Sequence, residues 1–374
     1  MLNGFYLTLQ IGPALPIPAP RPVMEALLSA QVTVSSGQRT GFQLTFGISK
    51  NSILLNELLP VGYFDPAIRV ILTATVTGLP QVLIDGVITR QEITPSSEPG
   101  QSTLVLTGED LTRMMDLVEL NGVPYPAMPR ETRVAMLLAK YAIFGVVPMI
   151  IPSLIPDVED PEDIIRGQQG TDFEYIKQLA DEVGYVFYLD FGPIPGVSVA
   201  YWGPEIKVGF PQSALTTNMD ASSNVESINF SYEGFSKTQY ILNVQLPITP
   251  PVTIPIPLPD IGPLNPPLGA KPLPPYRVEF LQTANDTALE AASKGLAKAS
   301  QSADVVSASG QLDVLRYGKI LNARGLVGVR GAGLTYDGLY FVKSVTHNIK
   351  HGEYKQSFSL TRNALISFTP VVVP

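Results

Sequence analysis

The two histidines are the side chains best suited to metal or acid–base chemistry in this chain of 374 residues. His347 and His351 stand four residues apart at the end of a predicted strand. A zinc site needs three or four ligands at close range, whereas an extended strand would separate these two by roughly 13 Å. We therefore predict no metal ligand here and expect each histidine to be either packed or exposed.

An acidic cluster is the second candidate for chemistry. Closely spaced carboxylates can bind calcium or serve a glycosidase. This cluster lacks the D-x-[DN]-x-[DN]-G spacing of a calcium loop, and Pro156 and Pro161 interrupt it. A solvated loop is the expected structure for these residues, which are Asp157, Glu159, Asp160, Glu162 and Asp163.

No pattern in the sequence supports a nucleophile or a phosphate-binding loop. The chain has no cysteine and no G-x-S-x-G elbow, so neither a Cys–His nor a Ser–His–Asp arrangement has support. No Gly-Lys-Ser/Thr follows the glycine-rich stretch at Gly325, Gly328, Gly331 and Gly333, and turns or bulges between strands explain these glycines better. We predict no enzymatic activity, no catalytic or cofactor-binding residue, and no cofactor.

The composition is typical of a β-rich protein that assembles with partners. Apolar residues make up 45% of the chain and charged residues only 16%, well below the usual quarter. So little charge indicates either that the protein has less surface to solvate or that it buries much of its surface against partners. With 31 glycines and 35 prolines, short strands joined by turns are favoured over long helices. The net charge of −8, without any lysine- or arginine-rich run, argues against specific nucleic-acid binding.

Neither secretion nor membrane insertion is predicted. The N-terminus lacks a basic region followed by a continuous apolar core, so it does not resemble a signal peptide. The uncharged stretch 141–156 is shorter than the roughly 20 residues of a spanning helix, and prolines interrupt it. Synthesis in the cytoplasm is the expectation.

Residues 1–118 are predicted to form a first small barrel-like domain. Their strand-like runs alternate apolar and polar residues and are bounded by Gly or Pro. Asp85-Gly86 is a predicted hairpin or bulge, and residues 109–117 read as a short closing helix. The predicted strands are 30–35, 42–48, 68–77, 82–90 and 102–107.

Residues 119–218 have the pattern of an α+β module. A helix is predicted over 130–144, with Gly145 as its stop. Thr171 and Glu174 have the spacing of a capping box and open a second helix that stops at Gly184. Two strands, 185–191 and 197–202, follow as a hairpin.

Residues 219–374 are predicted to form a second barrel-like domain with two interruptions. The segment 247–275 holds twelve prolines and should run as extended polyproline II. A helix over 286–301, capped by Asn285 or Asp286, follows it, and strands are expected near 326–330, 339–348 and 354–362. The fold class predicted for the whole chain is mainly β (α+β), made of two antiparallel barrel-like domains around the helix-hairpin module.

The second helix of the module carries a family signature. The run from Gly170 to Gly184, GTDFEYIKQLADEVG, resembles the G-T-D-x-x-F-L-x-x-L-A-x-x-x-G signature of phage late-control and tail-hub proteins, including the hub part of type VI secretion spike proteins. Tyr175-Ile176 departs mildly from the Phe-Leu that is frequent there. The closing runs 337–347 and 352–362 look like the last strands of the same family.

The resemblance implies a structural baseplate hub in a virion tail, assembled in the cytoplasm. Such a hub is a homotrimer whose paired barrels join a six-fold tail tube to a three-fold spike. The implied partners are the tail tube protein and a separate spike protein, with baseplate wedge or tape-measure proteins as further candidates.

Two alternatives stay open beside the hub, namely a tail-associated binding module (an adhesin) and a cell-wall hydrolase. The sequence does not distinguish an infecting phage from a bacteriocin-like particle or an injection system. For the proline-rich segment 247–275 we weigh a spacer against an ordered arm that lies on a neighbouring subunit or partner.

Overall fold

The computed structural model describes residues 4–98, 101–126, 128–153, 167–246, 252–281 and 288–368. Its helices are α1 Arg21–Ala26, α2 Arg130–Ala139, α3 Asp172–Glu182, α4 Ala288–Ser302 and α5 Val314–Tyr317. Its strands in the first half are β1 Phe5–Gly12, β2 Ile17–Pro18, β3 Leu27–Ser35, β4 Gly41–Ile48, β5 Arg69–Val76, β6 Leu79–Thr94, β7 Ser102–Asp110, β8 Val123–Pro124, β9 Val146–Ile150, β10 Gly167–Gln168 and β11 Val186–Phe191. Those in the second half are β12 Ser198–Gly203, β13 Gln212–Thr216, β14 Val225–Tyr232, β15 Thr238–Leu246, β16 Val252–Pro257, β17 Lys271–Pro272, β18 Arg277–Phe280, β19 Val306–Asp313, β20 Leu326–Arg330, β21 Gly338–Lys350, β22 Glu353–Arg362 and β23 Ala364–Leu365.

A large sheet joins both ends of the described chain. Its strand order is β14-β19-β22-β21-β3-β4-β7-β6-β5-β1-β2, and β20 and β13 branch from β21. The central contact is the antiparallel pairing of β21 with β3, which places His347 opposite Val32. The fold class is confirmed as mainly β with α+β character, but the described strands do not close into barrels. The division into three domains stays a prediction.

Alternating apolar residues build the main core beneath this sheet. On β4, Phe42, Leu44, Phe46 and Ile48 point inward, as the period of two predicts. β5 is buried on both faces, and accordingly its sequence, RVILTATV, contains a single charged residue, Arg69. The core on this side of the molecule draws on strands from both halves of the chain.

The hairpin between β5 and β6 lies at Thr77-Gly78, where both residues have positive φ values, of 50° and 85°. Of the two structures predicted for Asp85-Gly86, the hairpin is wrong, because β6 runs straight through these residues. A register shift of the kind that a bulge produces lies just before them, where β6 pairs with Leu72 and Thr73 of β5. Glycine is needed at position 86 for another reason. A Cβ there would come 2.2 Å from the backbone oxygen of Glu109 on β7.

The α+β module packs α2 and α3 against the sheet β11-β12-β9, in which β9 runs parallel to β12. Its core includes Leu137, Ile176 and the fully buried Trp202. The first helix ends at Ala139, five residues before the predicted end. A 3₁₀ turn over Ala142–Phe144 then leads to the predicted stop at Gly145.

The described part of the proline-rich segment is not polyproline II throughout. β16 pairs with β15 at the edge of the sheet β16-β15-β18, where Pro255 and Pro257 need no inward N–H. Three leucines of the segment, Leu258, Leu268 and Leu273, are buried by other residues of the same polypeptide. The helix predicted to follow it is α4, and its predicted caps lie outside the described residues.

Candidate functional site

His347 is a buried histidine in the middle of the large sheet. Its Nδ1 lies 2.8 Å from the hydroxyl oxygen of Tyr354 and 3.3 Å from Nε2 of Gln356. Burial lowers the pKa of His347 from 6.5 to about 4, because the protonated ring loses its hydration. This arrangement makes the imidazole a packed side chain whose Nδ1 is already engaged.

The depressed pKa of His347 predicts acid sensitivity. The unfolded chain takes up this proton near pH 6.5 and the folded chain only near pH 4, so folding stability is lost as the pH falls between these values. The expected loss is about 3 kcal/mol by linkage. Urea unfolding at pH 7.5, 6, 5 and 4 should therefore show that the stability difference between wild type and His347→Gln changes by about this amount. Parallel pH profiles for the two proteins would contradict this assignment.

The other residues considered for chemistry form no site within the part of the chain that the structure describes. His351 is exposed in the turn between β21 and β22. The acidic cluster at 157–163 lies outside the described residues. In the described part of the chain, no three His, Cys, Asp or Glu side chains are grouped so that they could hold a metal ion.

The signature helix α3 begins with the predicted capping box, which is confirmed. The hydroxyl of Thr171 accepts the N–H of Glu174 at 3.2 Å, and the Glu174 carboxylate accepts the N–H of Thr171 at 2.9 Å. The same hydroxyl donates to Asp116 at 2.7 Å, which ties the helix to the 3₁₀ turn Leu111–Asp116. A cap of this kind contributes about 1 kcal/mol and fixes the residue at which the helix starts.

The signature aspartate, Asp172, is the centre of a buried polar network. Its carboxylate accepts hydrogen bonds from Lys140 at 3.0 and 3.2 Å, from the hydroxyl of Tyr141 at 2.8 Å and from Gln168 at 2.8 Å. Gln168 in turn accepts the hydroxyl of Tyr125. Burial, and to a smaller extent the neighbouring carboxylate of Asp172, raise the pKa of Tyr141 well above its ordinary value. This phenol therefore stays protonated and keeps donating its hydrogen bond to Asp172. The network fixes α3 against α2.

Arg39 joins the start of α3 to the turn between β3 and β4. Its guanidinium is paired with Asp116 and stacks 3.7 Å above the ring of Phe173. A groove of about 670 Å³ lies between this turn and α3. Asp110 also lines it, but its carboxylate is already bound to the backbone N–H groups of Thr40 and Thr112. Because Arg39 and Asp110 already have partners within the fold, we interpret the groove as a packing junction between the turn and α3.

A buried ion pair forms a second joint between the sheet and the module. Arg69 donates Nε and Nη2 to the two oxygens of Asp85, both at 2.7 Å. Its remaining N–H groups reach the carbonyls of Ala14 at 3.0 Å, Phe144 at 2.8 Å and Gly196 at 3.3 Å. One guanidinium thus connects β5 and β6 with both loops of the module that face them.

Arg324 makes a third joint of the same kind. Its guanidinium stacks 3.8 Å above the ring of Tyr188 and donates to the carbonyls of Leu189 at 3.2 Å and Ser35 at 3.1 Å. Burial lowers the pKa of Arg324 from its ordinary value, although Asp190 opposes the shift. Three arginines, at positions 39, 69 and 324, therefore hold the module against the large sheet.

The small sheet β16-β15-β18 has one covered and one uncovered face. Leu242 and Leu258 pack beneath α4. Alternation along the strands places an apolar set on the opposite face, where Val278 and Phe280 are 58% and 57% exposed. We call this set the open sheet face; its members are Ile241, Pro255, Pro257, Val278 and Phe280.

An uncovered apolar sheet face is unusual for a protein that works alone, because a sheet normally buries its apolar side. Phe235 and Tyr276, whose rings are in tilted contact with centroids 5.3 Å apart, add two more exposed aromatic rings near β18. Among the helices that the structure describes, none is both long and apolar enough to cross a membrane.

Comparison with solved structures identifies the fold. The chain is similar to the tail protein of Neisseria meningitidis MC58, with a TM-score of 0.62 and 14% identity over 97% of this chain and 98% of that one. It is similar to the 43 kDa tail protein of prophage MuSo2 from Shewanella oneidensis, with a TM-score of 0.62 and 15% identity over 97% and 100%. The E. coli c3393 protein, a component of the type VI secretion system, matches with a TM-score of 0.50 and 12% identity over 93% and 77%.

The chain therefore has the fold of phage tail proteins and of type VI secretion components, and the likeness extends over nearly its whole length. The resemblance to the tail-hub family is confirmed at the level of fold. No protein-family model matches the chain, and no curated protein matches it.

Sequence reasoning missed the three arginine joints. A signal for the second was present, because Arg69 and Asp85 are single charges inside otherwise uncharged runs, IRVILTATV and VLIDGVI. A charge in a strand that is buried on both faces must find a partner of opposite sign. Two such charges in consecutive strands predict a pair.

Proposed function

We propose that this protein is a structural hub subunit in the baseplate of a phage tail or a contractile injection system. The observation that carries the proposal is the match of fold to two tail proteins, one of them from a prophage, over 97% of the chain, with nearly the whole of each of those proteins covered. The c3393 protein extends the same fold to an injection system. Both kinds of machine stay open for this chain.

The contacts between the module and the large sheet support a role in which the subunit resists mechanical stress. The module is held to the large sheet by three arginines that bridge strands and loops distant in sequence, as the contacts of Arg69 with Ala14 and Gly196 show. Bidentate and stacked guanidinium contacts fix orientation as well as distance. A subunit that joins a tube to a spike has to keep its parts in fixed positions under stress, and these joints serve that purpose.

In the proposed assembly the subunit is a homotrimer in the virion tail baseplate. It contacts a tail tube protein on one side and a separate spike protein on the other, and it has no catalytic role. The open sheet face supports assembly with further copies, because exposed apolar side chains of this kind are stabilised when a neighbouring subunit covers them.

Native mass spectrometry of the purified full-length chain tests the proposal. The expected result is a species of three times the chain mass of 40.3 kDa. Addition of the tube and spike proteins of the same particle should give complexes that retain three copies of the chain. A monomer that stays monomeric at micromolar concentration, alone and with both partners, would overturn the proposal.

A further inference from the structure

Lys207 is a buried lysine held in contact with two carboxylates. Its side chain is 1% exposed, and its Nζ lies 2.7 Å from Oδ2 of Asp304 and 3.7 Å from Oε2 of Glu205. The ring of Phe341 covers the ammonium group at 5.6 Å. The backbone N–H of Lys207 donates to the carbonyl of Leu264 at 2.8 Å, so the chain on which the lysine stands is fixed as well.

The carboxylate of Asp304 is poorly satisfied as an anion. Thr361 donates to Oδ2 at 3.1 Å, whereas Oδ1 is buried and has no hydrogen-bond partner among the described residues. Burial raises the pKa of Asp304, and Glu205 adds to that shift while Lys207 opposes it. The neutral carboxylic acid is therefore favoured here more than in water.

Glu205 is positioned separately from the pair. Its Oε1 accepts the hydroxyl of Ser36 at 2.6 Å, which leaves Oε2 directed at Lys207. Its side chain is 25% exposed, so this carboxylate keeps contact with water. A buried amine and acid in contact, with a second carboxylate beside the amine, are the groups that an amide condensation requires.

We propose that Lys207 and Asp304 form an intramolecular isopeptide bond, with Glu205 as general acid and base. Nζ and the carboxyl group are held in contact by the fold, which replaces a second-order encounter by an effective concentration of about 10⁵–10⁸ M. Exclusion of water removes the solvation that normally keeps the ammonium and the carboxylate unreactive.

The step balances without an oxidant or a second reactant. Within the hydrogen-bonded pair a proton passes from the Lys207 ammonium to Asp304, which gives an amine and a carboxylic acid. Nζ then attacks Cγ, Glu205 takes one proton from Nζ, and it returns that proton to Oδ2, which leaves as water. The Nζ–Cγ bond replaces the Cγ–Oδ2 bond, and the unpartnered Oδ1 becomes the amide oxygen.

The bond would close a covalent loop between two positions 97 residues apart in the chain. That loop includes β13 to β16, the described part of the proline-rich segment, β18 and α4. A covalent link at this place would keep the sheet β16-β15-β18 attached to the rest of the molecule under force. It is independent of whether the chain assembles as a hub.

Intact mass measurement of the full chain under denaturing conditions tests the proposal. The expected mass is one water molecule below that of the sequence. Tryptic mapping should show a branched peptide joining the chain around Lys207 to the chain around Asp304, without cleavage after residue 207. An unmodified mass and two separate linear peptides after prolonged incubation of the folded protein would overturn the proposal and leave an ordinary ion pair.

Variants separate the chemistry from folding. Lys207→Arg keeps the positive charge but removes the nucleophile. Glu205→Gln keeps the Lys207–Asp304 pair but removes the base. Both variants should have the full mass of their sequence.

The matched internal control is Lys237, which is also buried and lies 2.5 Å from Asp260. The other neighbour of its Nζ is the carbonyl of Leu273, where Lys207 has the carboxylate of Glu205. Its tryptic peptides should be linear, and an equal yield of branched peptide there would contradict the role given to Glu205.

Discussion

Asp85→Ala is expected to lower the free energy of unfolding by about 3–5 kcal/mol, the cost of leaving a buried charge without its partner. The guanidinium of Arg69 stays in place after the substitution, because carbonyls of Ala14, Phe144 and Gly196 still hold it. Those carbonyls are dipoles and cannot neutralise the charge that Asp85 now balances over two bonds of 2.7 Å. Urea unfolding at pH 7 measures the loss.

The double variant Arg69→Met/Asp85→Leu is the informative control for this prediction. Because the removal of both charges also removes their desolvation cost, the double variant should regain most of the stability that Asp85→Ala loses. The pair Arg21–Glu25 provides a surface comparison, since its side chains are 88% and 61% exposed and Glu25→Ala should change the stability by less than about 1 kcal/mol. Similar losses for Asp85→Ala and Glu25→Ala would show that the ion pair does not hold the joint.

Local features of the fold could be predicted from sequence because neighbouring residues decide them. The capping box at Thr171 and Glu174 involves groups three residues apart, and the structure contains both of its hydrogen bonds. The strands with strict alternation, such as β4 and β7, were predicted within a few residues of their ends. In each case the residues that decide the local structure are close together in the sequence.

Non-local features could not be predicted from the same patterns. The pairing of β3 with β21 brings together residues more than 300 positions apart, and no local signal specifies it. Asp85-Gly86 has the composition of a turn, but burial of Asp85 against Arg69 and the close approach of β7 at Gly86 outweigh that preference. Alternate prolines in β16 are compatible with an edge strand, which polyproline composition alone does not reveal.

The open sheet face could not be predicted from local sequence patterns either. In the open sheet face, Phe280 and Val278 are ordinary strand residues in the sequence. Only the register of β18 with β15 places them on the side opposite α4. Pro255 and Pro257 join them through the register of β16. Whether the proline-rich segment is a spacer or an arm that lies on a neighbour stays a prediction. The segment packs on its own chain and presents prolines outward.

Phe280→Glu is expected to weaken the proposed trimer by at least about 2 kcal/mol per interface, which corresponds to a roughly 30-fold higher dissociation constant. The reason is that a partner covering the open sheet face would have to bury the new carboxylate without a counter-ion. Native mass spectrometry and sedimentation over a range of concentrations measure the shift from trimer to monomer.

Folding of the monomer should be unaffected by this change. Phe280 is 57% exposed and stands on the side of the sheet away from α4, so glutamate at this position stays hydrated when the chain is alone. Urea unfolding of the dilute variant and of the dilute wild type should therefore agree within about 0.5 kcal/mol. This separates a defect of assembly from a defect of folding.

Val61→Glu is the matched control, because Val61 is 76% exposed and lies outside the open sheet face. It introduces the same charge at a comparably exposed apolar position and should leave the trimer intact. If Phe280→Glu and Val61→Glu assemble equally well while the wild type is a trimer, the trimer contact uses another surface and the open sheet face is left for the tube or the spike. If both variants dissociate, the general increase in negative charge is responsible, and salt should restore assembly of both.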